Sequence, residues 1–177
     1  MRLRPSDPSP ATLALVAAVA LDEAMRVWLP AGTALTIKWP NDLLIAGAKL
    51  SGILLERAGD AVVVGIGVNL VHHPDLPDRP ATSLAAHGAA VDAATFLDTL
   101  AEIFARWLAR WRGEGLVPLR ARWNERAHPA GTALNVRLPD GEVIDGLFER
   151  LDAEGALILR LADGTTRVIH AADVFLI

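Results

Sequence analysis

The sequence predicts an α+β fold: a mixed, largely antiparallel sheet flanked by helices, followed by a small β-barrel. Three observations carry this prediction. Two long stretches repeat apolar residues every three or four positions, as amphipathic helices do. Between them, short alternating segments are joined by tight turns, so the strands are expected to pair antiparallel. Beyond Gly131 only short alternating segments remain, which is typical of a small barrel.

The first helix is predicted from its termini as well as from its periodicity. Ser9 is expected at the N-cap and Pro10 at the first helical position. An apolar stripe at helical spacing continues to Trp28, and Pro30 with Gly32 ends it.

A meander of strands follows the first helix. The turns that separate the strands contain Pro40-Asn41-Asp42, Ala46-Gly47 and Gly59-Asp60. The predicted strands cover residues 35–39, 43–45, 49–56 and 61–68.

The stretch from Val71 to Ala81 contains three prolines and is predicted to be a loop. Asp92 is expected to cap a second long helix, which Gly113 and Gly115 end. A shorter helix is expected over Leu116–Arg126.

The remaining sequence predicts a separate β unit of four or five short strands. The clearest candidates are residues 134–138, 143–151, 156–161 and 165–169. We therefore expect a domain boundary near residue 129, which divides the chain into residues 1–128 and 129–177.

Composition narrows the classes of function. The chain has 177 residues, of which 52% are hydrophobic, a formal net charge of −4 and no cysteine. Disulfides and thiolate metal sites are thus excluded, and no excess of basic residues indicates a nucleic-acid partner. The apolar run from Ala11 to Leu29 contains Asp22, Glu23 and Arg26, which predicts a buried helix rather than a membrane span or a signal peptide. We expect a cytoplasmic protein.

A polar interruption and three glycines predict a ligand pocket within the meander. Trp39-Pro40-Asn41-Asp42 can be a simple polar turn, but Lys49 then begins a strand containing Gly52. Gly65 and Gly67 remove side chains from the next strand, which Asn69 follows. The three glycines could open a floor for a flat ligand, with Lys49 as a point charge and Asn41, Asp42 and Asn69 as directional polar groups. No helix follows the Gly-x-Gly segment, which argues against a dinucleotide-binding fold.

Three other groups of residues are interpreted as structural rather than functional. His72, His73 and Asp75 lack metal-ligand spacing and are interpreted as loop residues, so we expect no metal-ligating residues. Trp107 and Trp111, four residues apart, are interpreted as core. Arginines between positions 106 and 126 are expected to form a solvated helix face, although an acidic carrier domain could dock there.

Three segments resemble the central motifs of biotin protein ligases, in the same order and spacing. They are Lys38-Trp39-Pro40-Asn41-Asp42, Lys49-Leu50-Ser51-Gly52-Ile53-Leu54-Leu55-Glu56 and Gly65-Ile66-Gly67-Val68-Asn69-Leu70. Ala81-Thr82-Ser83-Leu84 fits the family less specifically, and the C-terminal strands resemble its SH3-like domain. The resemblance extends over essentially the whole chain.

The resemblance implies a two-step reaction with ATP and Mg²⁺. Biotin's carboxylate would attack the α-phosphate to give biotinyl-5′-AMP, and a lysine of a biotin carboxyl carrier domain would then accept the acyl group. Lys49 corresponds to the family's catalytic lysine. Biotin contacts are implied for Lys49, Gly52, Gly65 and Gly67, and nucleotide contacts for Asn41, Asp42, Ile53 and Asn69. A metal-linked and a structural role both stay open for Asp42.

The sequence departs from the family at its start, because residues 1–9 contain no Gly-Arg-rich biotin loop. We expect an N-terminally truncated chain that alone binds biotin weakly. No helix-turn-helix is present, which argues against DNA binding, and the family resemblance allows a homodimer through the exposed sheet. A non-catalytic remnant or binding module and a lipoate or octanoate transferase are the alternatives. The Trp-Pro-Asn-Asp block and the SH3-like tail favour biotin over lipoate.

Overall fold

The computed structural model, which describes residues 1–75, 77 and 79–177, contains two antiparallel sheets and three α-helices in that part of the chain. The helices are α1 (Leu13–Trp28), α2 (Ala93–Glu114) and α3 (Val117–Arg126). The strands of the first sheet are β1 (Leu35–Lys38), β2 (Asp42–Ile45), β3 (Ala48–Ala58) and β4 (Ala61–Val68). Those of the second are β5 (Ala133–Arg137), β6 (Val143–Leu151), β7 (Leu157–Arg160), β8 (Thr166–Ile169) and β9 (Asp173–Leu176).

The first sheet is the predicted meander, with strand order β1-β2-β3-β4 and each neighbour antiparallel. Its residues alternate between two faces, as expected for a sheet covered on one side. In β3, Ser51 and Ile53 point into the core, whereas Leu54 is 62% exposed. Parallel pairing occurs among the described residues as isolated bridges, for example Lys49 with Ala81. The sheet therefore has one core face and one open face.

Helix α1 is the centre of the hydrophobic core, and most of its residues are buried. It begins later than predicted: residues Pro10–Thr12 form a 3₁₀ turn, and the α-helix starts at Leu13. Ser9 makes no side-chain cap bond. Instead, its carbonyl accepts bonds from the backbone N–H of Thr12, at 3.0 Å, and from the Thr12 hydroxyl, at 2.6 Å, and this closes the tighter turn. In the described part of the chain, no helix has the length and apolar character needed to cross a membrane.

Helix α2 confirms its predicted start and corrects its predicted end. The Asp92 carboxylate accepts hydrogen bonds from the backbone N–H groups of Ala94 and Thr95, each at 3.0 Å. Gly113 lies inside the helix rather than ending it, and Gly115, at φ 73°, follows the last turn. Trp107 and Trp111 are buried in the core, as predicted.

The second sheet has the order β8-β7-β6-β5-β9 and is antiparallel throughout, which confirms the small β-barrel. Strand β9 returns beside β5, so the end of the chain lies at an edge of this sheet. A boundary near residue 129 stays a prediction.

The two sheets are joined by contacts from β1, its following turn and α3. The indole of Trp39 donates to the Gly155 carbonyl at 3.2 Å, and the rings of Trp123 and Phe148 have centroids 6.2 Å apart. The ammonium of Lys38 donates to the Val174 carbonyl at 2.8 Å. The C-terminal unit therefore packs directly against the residues of the candidate pocket.

Of the six arginines between positions 106 and 126, Arg106 and Arg110 are exposed, as predicted for a solvated face, whereas the other four are half-buried. Arg122 pairs with Glu23 of α1 at 3.0 Å, and Arg126 approaches Asp22 at 3.6 Å. The Asp22 carboxylate has no solvent exposure and also accepts two bonds from Arg26, at 3.0 and 3.1 Å. Burial raises the pKa of Asp22, and the neighbouring arginines oppose that shift. These pairs tie α1 to α3.

Replacing Asp22 is expected to destabilise the protein strongly. In Asp22→Ala, the two partly buried guanidinium groups that Asp22 pairs with lose their anion, which typically costs about 3 kcal/mol in the free energy of unfolding. Urea unfolding monitored by tryptophan fluorescence measures this loss. Glu114→Ala, which removes an exposed ion pair with Arg110, is the control and should leave the midpoint unchanged. Equal midpoints for both variants would contradict a structural role for Asp22.

Two glycine-to-alanine substitutions should have opposite effects. A Cβ at Gly146 would lie 2.8 Å from the Arg160 carbonyl and 2.6 Å from Leu159 Cγ, so Gly146→Ala should cost roughly 1–3 kcal/mol. A Cβ at the helical Gly113 meets nothing within 4 Å, so Gly113→Ala should stabilise by up to about 1 kcal/mol. Thermal unfolding of both variants checks the difference in sign.

Candidate ligand-binding site

The centre of the candidate site is the Asp42 carboxylate, which lies between two ammonium groups. Its Oδ1 is 2.5 Å from Lys49 Nζ, and its Oδ2 is 3.1 Å from Lys38 Nζ. The side chain of Asp42 is 12% exposed, that of Lys38 is 17% exposed and that of Lys49 is 44% exposed. The ion pairs are therefore shielded on the Lys38 side, while Lys49 stays accessible to a ligand.

These are the only two lysines in the sequence, which otherwise carries its positive side chains as fifteen arginines. A lysine ammonium is a compact charge with three rotatable donors, whereas a guanidinium is a rigid planar fork. Both lysines of the chain thus lie on a single carboxylate.

Local strand geometry brings the three charges together. Lys38 and Asp42 are register partners at the ends of β1 and β2. Asp42 in turn faces Gly52 across the β2–β3 pair, where a register shift between Leu43 and Leu44 interrupts the regular ladder. This irregularity lies beside the start of β3, where Lys49 is located.

Gly52 gives the side chain of Lys49 room to lie across the strand. A Cβ at Gly52 would lie 3.2 Å from Lys49 Nζ and 3.3 Å from its Cε, closer than side chains normally pack. The missing side chain therefore lets the Lys49 ammonium lie across the strand and reach Asp42.

Gly65 and Gly67 lie on the same open face of the sheet, but the protein's own packing does not require glycine there. A Cβ at Gly65 would lie 3.6 Å from the Leu54 carbonyl, and one at Gly67 would lie 3.9 Å from the Gly52 carbonyl. Both are ordinary contacts, and neither residue has a positive φ. Exposed Leu54 and Val63 flank them. The result is an accessible apolar floor beside Lys49.

Asn41 and Ile53 form a reciprocal pair that holds the turn onto β3. The Asn41 amide donates to the Ile53 carbonyl at 2.7 Å, and the Ile53 N–H donates to the Asn41 carbonyl at 2.9 Å. The side chain of Ile53 is 3% exposed and packs in the core, on the face opposite Gly52. The structure thus brings the backbone of Ile53 to the site but does not place its side chain there.

Asn69 supports the site from behind rather than lining its cavity. Its amide donates to the Thr82 carbonyl at 2.9 Å and lies 3.4 Å from the Lys49 carbonyl. The backbone of Thr82 also donates to the Lys49 carbonyl, and the N–H of Lys49 donates to Pro80. Asn69 therefore fixes the backbone from which Lys49 projects.

A cavity of about 400 Å³ opens in front of the lysines, between the two sheets. The residues that line it are Lys38, Pro40, Asn41, Asp42, Leu44, Gly47, Lys49, Arg79, Pro80, Asp173, Val174, Phe175 and Leu176. Arg79 lies over the ring of Phe175, with its guanidinium carbon 5.6 Å from the ring centroid. Gly52, Gly65, Gly67 and Asn69 lie outside this lining.

Sequence reasoning missed Lys38, Arg79 and the whole wall that β9 contributes. Lys38 was visible as a charged residue four positions before Asp42, but its contact with β9 joins residues 136 positions apart. Such a contact leaves no periodic signal. The charge of Lys38 also reaches His128: burial first, and then Lys38, lower the pKa of that imidazole.

The predicted loop histidines do not gather into a metal site. Among the described residues, no three His, Cys, Asp or Glu side chains cluster closely enough to hold an ion. His73 instead approaches the Ser83 hydroxyl at 3.4 Å, and His87 contacts the Thr82 hydroxyl at 2.9 Å. Both histidines therefore contact hydroxyl groups of the Thr82-Ser83 segment.

Asn69→Asp tests the supporting role of Asn69. An ionised carboxylate has the same shape as the amide but cannot donate to the Thr82 and Lys49 carbonyls. The variant should lose roughly 1–3 kcal/mol in the free energy of unfolding, because the Thr82 carbonyl loses its side-chain donor and both partly buried carbonyls face a negative charge. Urea unfolding measures the loss. Unchanged stability would show that the two hydrogen bonds contribute nothing.

Comparison with known proteins identifies the family. The biotin/lipoate A/B protein ligase family matches residues 3–125, and the biotin protein ligase C-terminal domain matches residues 133–177. The chain is 43% identical over 176 residues to a biotin–[acetyl-CoA-carboxylase] ligase of Paracoccus denitrificans, covering 93% of this chain and 72% of that protein. It is 38% identical over 147 residues to the Mycobacterium tuberculosis ligase of the same name, covering 82% of this chain and 53% of that protein.

Solved structures share the fold. Biotin protein ligase from Aquifex aeolicus in complex with biotin and ATP superposes with a TM-score of 0.81 at 21% identity, covering 95% of this chain and 72% of that one. The Leishmania major ligase with biotinyl-5-AMP superposes with a TM-score of 0.60 at 24% identity, covering 96% and 74%. The match to a family domain over most of the chain, together with the 43% identical relative, shows that this chain belongs to the biotin protein ligases of the biotin/lipoate A/B protein ligase family.

Proposed function

We propose that this chain carries the adenylate-forming site of a biotin ligase, which activates biotin with ATP and transfers it to a lysine of a biotin carboxyl carrier domain. The observation that carries the proposal is the Lys49 ammonium, which lies over Gly52 at the border between an apolar floor and a polar cavity. The relatives' names support biotin as the substrate. We further propose residues 1–128 as the catalytic domain and 129–177 as the SH3-like domain.

Lys49 supplies the fixed positive charge that the first step requires. Biotin's carboxylate oxygen forms a bond to the α-phosphorus while pyrophosphate leaves, so anionic oxygens crowd together in the transition state. A fixed ammonium placed beside them stabilises that charge more than it stabilises the separated reactants. Lys49 is 44% exposed on the cavity side, so it can reach such oxygens while Asp42 anchors it.

The apolar floor suits the vitamin and the polar cavity suits the nucleotide. Gly65 and Gly67 leave space above β4, although the packing of the protein does not require glycine at either position. This favours a ligand lying flat on that strand. The cavity contains Arg79 and the two lysines, which suit a polyphosphate. On this arrangement Asn41 and Asn69 act by fixing the backbone around Lys49 on the nucleotide side.

The residues present fit a magnesium ion that arrives with the nucleotide. Magnesium in such sites is typically held by one or two carboxylates and by substrate phosphates. Asp42 would hold it, because a carboxylate has about four acceptor positions and the two lysines engage one on each oxygen. When bound, the ion would neutralise phosphate charge.

Substitution of Lys49 tests the proposal. Lys49→Ala should abolish biotin-dependent exchange of pyrophosphate into ATP, a loss of at least about 100-fold, because the fixed charge at the developing phosphate oxygens is gone. The fold should persist, since the side chain is half exposed. Gly113→Ala, on the surface of α2 away from the site, is the matched control and should keep wild-type activity.

Transfer is tested separately by mixing the chain with biotin, ATP, Mg²⁺ and a carrier domain. Labelling of the carrier lysine would establish the second step, and replacing biotin with lipoate or octanoate distinguishes the related transferases. Calorimetric titration with biotin, combined with the exchange and transfer assays, distinguishes a binding module from an enzyme. Binding without exchange or transfer would favour a non-catalytic module, and full activity of Lys49→Ala would refute the assignment of Lys49.

A further inference from the structure

We infer that Lys38 is a positioning residue that couples the last strand of the C-terminal domain to Lys49. Its ammonium has two partners from different parts of the fold: Asp42 Oδ2 at 3.1 Å and the Val174 carbonyl of β9 at 2.8 Å. Asp42 holds Lys49 on its other oxygen. An unbroken polar chain therefore runs from β9 to the ammonium that the proposed function uses.

Because these contacts are shielded from water, a movement of β9 should change the position of the Lys49 ammonium. Val174 is 4% exposed, and the side chains of Lys38 and Asp42 are 17% and 12% exposed, so water replaces these partners poorly. If β9 moves away, the Lys38 ammonium keeps only Asp42 as a partner and is drawn towards it. Lys38 then competes with Lys49 for the same carboxylate, and the Lys49 ammonium shifts above Gly52.

Lys38 is not needed merely to attach the C-terminal domain. Other contacts join the two sheets, including the bond from Trp39 to Gly155 and the packing of Trp123 against Phe148. The Arg120 guanidinium also reaches the Leu151 carbonyl, at 3.5 Å, without approaching Asp42. Loss of Lys38 should therefore leave the domains packed while uncoupling β9 from Lys49.

The composition of the chain provides a direct test. Because the sequence has two lysines, [¹⁵N]lysine labelling gives two Nζ resonances, one from each ammonium of interest. Lys38→Arg, which keeps donors for both partners of Lys38, removes one signal and leaves the Lys49 signal in place, which assigns them. Lys38→Met should move the Lys49 signal, whereas Arg120→Met, which removes a different bond to the C-terminal domain, should leave both signals in place.

A double-mutant cycle then measures the coupling. Val174→Ala, which disturbs β9, should move the Lys49 resonance in the wild-type background and leave it unmoved in the Lys38→Met background. Leu176→Ala, on the same strand but more exposed, is made alongside in case Val174→Ala fails to fold. A Lys49 shift that is equal in both backgrounds, or absent from both, would overturn the inference.

The catalytic consequence rests on the proposed function and is measured separately. Lys38→Met should slow adenylate formation by about tenfold or more, because a small displacement of a catalytic group is costly. Lys38→Arg, which keeps donors for both partners, should restore part of the rate, and Arg120→Met should match wild type. Full activity of Lys38→Met would refute the positioning role. An inactive wild-type chain would instead count against the proposed function, while the resonance cycle still decides the coupling.

Discussion

The site depends on one carboxylate that is shared by two ammonium groups. Asp42 lies at the start of β2, Lys38 at the end of β1 and Lys49 at the start of β3, so the ion pairs fix three strand ends relative to one another. Charges that are shielded from water need such partners, since an isolated buried charge is strongly unfavourable. The glycine-containing strand β4 and the last strand, β9, lie around this group.

The glycines of the first sheet serve two different purposes. The distances from a Cβ built at each glycine to its neighbours distinguish them. At Gly52 a Cβ would lie 3.2 Å from the Lys49 ammonium, so a side chain there would oblige the lysine side chain to shift. At Gly65 and Gly67 a methyl group would make ordinary contacts, and the protein gains only free space above the strand. Glycines that packing does not require let a ligand approach the backbone of the strand closely.

Much of the fold could be predicted because it is encoded locally. Alternation and turn residues defined β4 and β6 to the residue, and Asp92 marked the start of α2. Gly113 misled the prediction, because a single glycine is tolerated near the end of a long helix whose core tryptophans hold it. The 3₁₀ turn at Thr12 was hidden as well, since it arises from one hydroxyl bonding back to Ser9.

Less of the site could be predicted, because its walls come from distant segments. Motif resemblance pointed to Lys49 and Gly52, and the structure places them together. The contact between Lys38 and β9 has no local signature. Ile53, however, could have been placed by parity alone: if Gly52 faces the open side of β3, its neighbour must face the core.

The confinement of both lysines to the site has a practical consequence for anyone who tethers this protein to a surface. Reagents that couple through primary amines have two side-chain targets in this sequence, Lys38 and Lys49. Lys49 is the more accessible of the two side chains. Attachment by this chemistry would therefore block Lys49, the residue proposed to contact the ligands whose binding is measured. A binding sensor for this protein should instead be anchored through carboxylates or a fused tag.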